Sequence, residues 1–222
     1  MIINIPKPIL TSYDLKTIAM LTMLIDHIGA LFFPKLILLR IIGRVAFVLF
    51  SFLLVEGFFH TKSSRNYLGA VVLAGILSEI PYDLAFSGEW FDFQSQNVLF
   101  TLGMGIIAMM VLSSSIASDL KVLFVYLIVV INSYLGFDYS YMGILQIVCF
   151  YIYKSSFFKK ATIVSVLNLF YGFRITVQSI AFIGLVPIYF YNGKRGKKSG
   201  WVFYTFYGLH LMILGLIKKY LL

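Results

Sequence analysis

Residues 36–59 read LILLRIIGRVAFVLFSFLLVEGFF, a stretch in which only Arg40, Arg44 and Glu56 carry charge. As a helix rising 1.5 Å per residue it spans roughly 36 Å, enough to cross the roughly 30 Å hydrocarbon core of a bilayer. Similar apolar runs lie at about 18–33, 66–86, 97–116, 120–135, 140–153, 161–172, 174–191 and 201–222, separated by Pro34, a polar loop at 60–66 and an acidic loop at 87–96. The pattern predicts an all-α fold: a polytopic transmembrane helical bundle of about nine (eight to ten) helices, forming a single domain over 1–222. The runs at 120–135, 140–153 and 161–172 fall short of the roughly 17 residues an untilted span needs, so tilted, interfacial or broken helices are expected there. The first run is not followed by a small-x-small cleavage site and contains Asp26-His27, so it is expected to be retained as a helix.

Composition excludes a soluble domain. Of the 222 residues 60% are hydrophobic and 12% charged, against about 45–50% and about 25% in an ordinary globular domain. The excess of 18 Lys+Arg over 9 Asp+Glu would also suit nucleic acid, but the basic residues cluster at the ends of apolar runs, where they orient membrane helices. The bilayer is therefore the expected partner, with no nucleic acid. Among alternate loops, the N-terminus, 60–66, 114–121, 154–160 and 192–200 hold twelve cations, whereas the other set holds Lys35, Arg40, Arg174, Lys218 and Lys219. The positive-inside rule then predicts a multi-pass protein of the cytoplasmic membrane with a cytoplasmic N-terminus. Nine spans would leave the C-terminus outside, an awkward place for Lys218 and Lys219. Cys149, the single cysteine, permits no internal disulfide and reads as a small packing residue.

Charge at membrane depth is expensive, so the ionisable residues inside the runs are the functional candidates. They are Asp26, His27, Arg44, Glu56, Glu79 and His210. Counting residues from the outer ends of the helices brings His27, Arg44 and Glu79 to one layer, with Asn97 opening the next helix beside it. Glu56 and His60 share a face near the opposite end by their i, i+4 spacing. Imidazole titrates near neutrality and is the usual general base. Neighbours on a helix point about 100° apart, so Asp26 is expected to pair with Arg44 rather than to orient His27. Each residue also has a plainer reading: a packing ion pair for Asp26 and Arg44, an interhelical hydrogen bond for His27 and His210, a solvated helix end for Glu56, His60 and Thr61. The chain carries no nucleophile elbow, zinc helix, Walker loop or dinucleotide fingerprint, and no metal is expected.

Several stretches resemble the TraX family, membrane proteins associated with N-terminal acetylation of conjugative pilin. They are LKTIAM at 15–20, MLIDHIG at 23–29, RVAFVLFSFLLVEGFFHT at 44–61, SEIPY at 78–82, NVLFTL at 97–102 and FYGLHL at 206–211. The 44–61 stretch follows the family pattern R-x-A-F-P-x-F-x-F-x-x-x-E-G-x-x-H-T, except that Val48 replaces a proline and should straighten the second helix. Gly208 likewise replaces a proline often found before the last histidine.

The resemblance implies an integral-membrane acyltransferase that moves an acetyl group from cytoplasmic acetyl-CoA to an amine or hydroxyl of a peptide, glycan or lipid. The position matching the acyltransferases' early-helix histidine is His27; Asp26 and Arg44 are expected to act with it, Arg44 or Asn97 stabilising the developing oxyanion, by direct transfer or through an acetyl-His27 intermediate. Glu56, His60, Thr61, Glu79, Asn97, Tyr207 and His210 would bind substrate or donor. The rival is a proton-coupled transporter or flippase using Asp26, His27, Arg44 and Glu79; a scaffold whose buried charges only specify packing is a third reading. Acceptor and oligomeric state stay open at this level.

Overall fold

The computed structural model describes residues 8–170, 176–198 and 200–221. Two of the loop cations, Lys7 and Arg174, lie outside the described residues, as do the end of the 161–172 run and the start of the 174–191 run.

Helix α1 spans Ser12–Phe32, six residues earlier than the apolar run suggests. Its start is set by a capping box: the Thr11 hydroxyl accepts from the Asp14 amide (3.3 Å) and the Asp14 carboxylate accepts from the Thr11 amide (2.8 Å), satisfying two amides that the first turn leaves unpaired. Lys16 thereby sits inside the helix. Helices α2 (Ile37–Gly43) and α3 (Val45–His60) abut at Arg44 and together make one rod of 24 residues. Then follow α4 (Ser64–Phe86), α5 (Val98–Ser113), α6 (Ser118–Tyr134), α7 (Ser140–Ile152) and α8 (Phe157–Leu169). A 3-10 helix (Val177–Gly184) runs into α9 (Leu185–Tyr189), and α10 covers Gly200–Tyr220. Counting abutting pieces as one, nine helical rods lie among the described residues.

Three rods, Ser12–Phe32, Ile37–His60 and Ser64–Phe86, are long and apolar enough to cross a membrane; Val98–Ser113, Ser140–Ile152 and Val177–Tyr189 are shorter apolar helices. Helix α3 is the hub. Nine of its sixteen residues are buried, including Phe47, Val48, Leu49 and Phe52–Val55, as expected for a helix that is apolar all round. Leu15 and Ala19 of α1, Ile106 and Met109 of α5, and Ile147 and Phe150 of α7 pack in the same cluster. Helix α6 is the opposite case, burying only Ile128 and Asn132 while Val122, Leu123, Phe124, Tyr126 and Leu127 stand exposed. Such an apolar outer face belongs against lipid rather than water. The chain is a membrane protein.

Val48, where the family has a proline, lies inside the continuous α3. The rod is interrupted at Arg44, four residues earlier. Gly43 lies so close to α1 that a Cβ there would overlap the Asp26 side chain, and Gly184 approaches Val48 from the other side, where a Cβ would stand 2.9 Å from that of Val48. The α2–α3 junction is thus closely packed on both flanks.

The loops separate into two ends as their charge suggests. Leu10 and Tyr191 form a backbone bridge, the Ser12 and Tyr13 amides donate to the Lys194 and Arg195 carbonyls, and the Lys154 ammonium sits 3.6 Å above the Phe59 ring. At the opposite end Gln96 bridges to Phe137. The C-terminus is there too, and its lysines are accounted for. Lys218 Nζ donates to the Ala85 carbonyl (3.1 Å) and Lys219 Nζ to that of Gly88 (2.7 Å). They cap the exposed carbonyls and negative dipole end of α4.

Candidate functional site

The 100° step between Asp26 and His27 sends the two side chains to different partners. Asp26 faces the α2–α3 break. Its Oδ2 accepts from Arg40 Nη1 at 2.9 Å and from Arg44 Nη2, and its carbonyl accepts from Arg40 Nη1 at 3.0 Å. Arg40 is a correction to the sequence reading, which placed it among the outer loop cations. Its i, i+4 relation to Arg44 puts both guanidiniums on one helix face, and that spacing was the available signal.

His27 faces α10. Its Nδ1 lies 2.7 Å from Nε2 of His210, whose Nδ1 lies 2.6 Å from the Phe206 carbonyl. The carbonyl can only accept, so the proton of neutral His210 is on Nδ1 and its Nε2 is an acceptor. His27 must then donate from Nδ1, which leaves a lone pair on His27 Nε2. The two rings stack nearly parallel with centroids 5.0 Å apart, and Phe86 and Tyr207 meet His27 edge-on at 5.5 and 6.4 Å.

Asp26, His27, Arg40, Arg44, Tyr139 and Tyr207 line one cavity of about 160 Å³, with Met23, Phe47, Phe50 and Val98 as apolar wall. Phe47 stacks on Tyr139 at 3.7 Å between centroids. Two buried polar atoms in this wall have no partner among the described residues: Arg44 Nε and Asp26 Oδ1. An unpaired buried donor is costly unless something in the cavity accepts from it. Tyr139 and its neighbour Asp138 also line the cavity; Asp138 was not singled out among the site residues, because a turn between two short helices gives no depth to count from.

Glu79 and Asn97 sit behind this wall rather than in it. The Asn97 amide group donates to Glu79 Oε2 and to the Gly75 carbonyl (2.9 Å), while its Oδ1 accepts from the Leu99 amide (3.0 Å). Both are committed to capping α5 and tying it to α4, so Asn97 has no donor to spare for a reacting group.

Glu56, His60 and Thr61 form part of a different cavity, about 310 Å³, with Ser12, Lys16, Tyr67, Tyr191, Gly193 and Arg195. Glu56 lies twelve residues from Arg44, roughly 18 Å along the α3 axis. Tyr191 donates to Glu56 Oε2 (3.3 Å) and stands 2.9 Å from the Ser12 hydroxyl. Burial pushes the Tyr191 phenol above its ordinary range, keeping it a donor. His60 Nδ1 donates to the Glu56 carbonyl at 2.7 Å. Among the described residues no group of three or more His, Cys, Asp or Glu could hold a metal ion.

The family model described as TraX protein matches residues 12–218. The chain is similar to a protein of Dichelobacter nodosus described as probable fimbrial assembly protein FimC, serogroup H1, at 29% identity over 240 aligned positions, covering 95% of this chain and 97% of that one. It is also similar to an uncharacterized protein of Rickettsia prowazekii (strain Madrid E), RP591, at 32% identity over 97 residues, covering 43% of this chain and 36% of that one. No solved structure matches. With the family pattern running from the capping box of α1 almost to the end of α10, the chain belongs to the TraX protein family.

Proposed function

We propose that the protein is an acyltransferase of the cytoplasmic membrane, taking an acetyl group from acetyl-CoA and delivering it to an amine or hydroxyl. The observation that carries this reading is the bond chain from the Phe206 carbonyl through His210 to His27. It leaves a lone pair on His27 Nε2, and His27 and Arg44 line the same cavity. His27 takes the acceptor's proton as its nitrogen or oxygen attacks the thioester carbonyl, and His210 shares the resulting positive charge. Arg44 donates to the oxygen on which negative charge develops. The C–S bond then breaks, the leaving thiolate takes the proton from His27 and departs as free thiol, and the new amide or ester is released with His27 neutral again.

Lys16 and Arg195 beside the second cavity supply the cations suited to the donor's phosphates. That cavity is at the end where the more basic loops gather, which supports a cytoplasmic N-terminus. Leu53 lines this cavity and Phe50 the first. They are three residues apart, about 4.5 Å along the helix, so a donor's extended arm would run beside α3 to reach the first cavity. The fimbrial relative favours a pilin-like peptide as acceptor over a glycan or lipid.

Two polar cavities at opposite ends of α3 would also serve proton-coupled transport. Purified protein in vesicles separates the two. Acetyl-CoA-dependent release of free thiol with acetylation of an added peptide amine is the expected result; solute flux driven by a pH gradient without thiol release would support the transporter.

A further inference from the structure

On the side of Arg44 away from Asp26, four buried polar side chains from four different elements form a single chain. Arg44 Nη1 donates to Gln178 Oε1 at 3.4 Å, Gln178 Nε2 to Asn168 Oδ1 at 2.8 Å, Asn168 Nδ2 to Gln146 Oε1 at 2.9 Å, and Gln146 Nε2 to Ser51 Oγ at 2.9 Å. The Ser51 hydroxyl donates to the Phe47 carbonyl. The spare Asn168 N–H goes to the Val164 carbonyl at 2.8 Å.

The order is forced. A guanidinium has donors only, so Gln178 must turn its oxygen to Arg44, and every amide beyond it is then oriented in turn. The chain leaves α3 at Arg44, passes through the 3-10 helix, α8 and α7, and returns to α3 at Ser51. Gln178, Asn168, Gln146 and Ser51 are all buried, and a buried amide that loses its partner is costly. Arg44 thus has Nη2 bonded to Asp26 and Nη1 to Gln178, which fixes the plane of its guanidinium from both sides.

We propose that Gln178, Asn168, Gln146 and Ser51 are positioning residues that clamp the Arg44 guanidinium in one orientation, so that it is aimed at the reacting carbonyl. The inference rests on the acyl-transfer reading for its purpose, and on the bond chain for its existence. The polar residues of α7, α8 and the 3-10 helix then act on the site through Arg44, without lining up on the histidines.

The test uses full-length detergent-solubilised protein and the variants Gln178→Met, which keeps volume but removes both hydrogen-bonding groups, and Gln178→Glu, which still accepts from Arg44. Two readouts are taken: transfer kinetics with acetyl-CoA, and the Nε–H resonance of Arg44 in arginine-labelled protein, assigned by Arg44→Lys. Gln178→Met is expected to lower kcat about tenfold with KM for acetyl-CoA unchanged, as for a misaimed group, and to shift or broaden the resonance. Gln178→Glu is expected to restore kcat to within about threefold of the parent, with a sharp resonance. A folded Gln178→Met protein with parental kcat and an unmoved resonance overturns the proposal. So does a folded Gln178→Glu protein that stays as slow as Gln178→Met, and this second variant decides the matter alone if Gln178→Met does not fold. If the parent protein transfers no acetyl group, the acyl-transfer reading has failed by itself. The resonance then still decides whether Gln178 clamps Arg44.

Discussion

His27 Nδ1 and His210 Nε2 are 2.7 Å apart although 183 residues separate them in the chain. The carbonyl of Phe206 behind His210 fixes which nitrogen of each ring carries the proton. His210→Phe keeps a ring in the stack but removes the acceptor for His27. It should cut kcat by about 10² through loss of the required tautomer and of charge sharing, with expression retained. His210→Gln, whose side-chain oxygen can accept from His27 Nδ1, should recover part of the rate. Steady-state transfer kinetics on the purified variants check both.

Asp26 answers two guanidiniums, Arg40 and Arg44, whose side chains are 30% and 16% exposed. Asp26→Asn should destabilise the fold by about 3 kcal/mol, since removing one member strands buried charge, and should abolish transfer. Arg40→Lys should cost less activity than Arg44→Lys, because Arg40 is the more exposed and is bonded only through Nη1. Unfolding in a mixed detergent series and turnover on the same preparations give both numbers.

Two glycines separate packing from propensity. A Cβ at Gly43 would overlap Asp26, whereas one at Gly69 meets nothing within 4 Å. Gly43→Ala should push α2 off α1, break the Asp26–Arg44 pair and lose both stability and activity. Gly69→Ala should stabilise the exposed face of α4 by about 0.5–1 kcal/mol, with turnover unchanged. Thermal unfolding of the two variants side by side distinguishes them.

Much of this arrangement was legible in the chain. The apolar runs marked all nine rods because each is a continuous stretch bounded by polar or Gly/Pro residues, and the pairing of Asp26 with Arg44 followed from helix geometry. The start of α1 was missed because Thr11 and Asp14 lie in a polar segment that hydropathy discards, although their spacing is that of a capping box. Arg40 was misassigned because a cation near a run's end looks the same whether it meets water or folds back onto a buried carboxylate. The amide chain from Gln178 to Ser51 left no local signal at all: each member is a single polar residue in an apolar helix, and only packing brings them into sequence. Glu79 and Asn97 share a depth with His27, but depth does not report which face a side chain takes, and theirs is turned to the α5 cap.

At the other end of α3, Lys16 and Arg195 border the cavity that contains Glu56 and His60. Lys16→Gln and Arg195→Gln should each raise KM for acetyl-CoA several-fold, about 3- to 10-fold, with kcat little changed, as for loss of uniform binding. The KM of the parent protein should climb with added salt more steeply than that of the double variant. Titrating acetyl-CoA at two ionic strengths provides the comparison.

The central claim is that His27 supplies the base for acyl transfer, and single turnover measures it most directly. Purified parent and His27→Ala proteins, matched for thermal unfolding, are mixed with acetyl-labelled acetyl-CoA and a peptide amine, and acetylated peptide is followed by mass. The account predicts transfer by the parent and a loss of at least about 10³ in the His27→Ala rate. Acetylation by folded His27→Ala at the parental rate would contradict it.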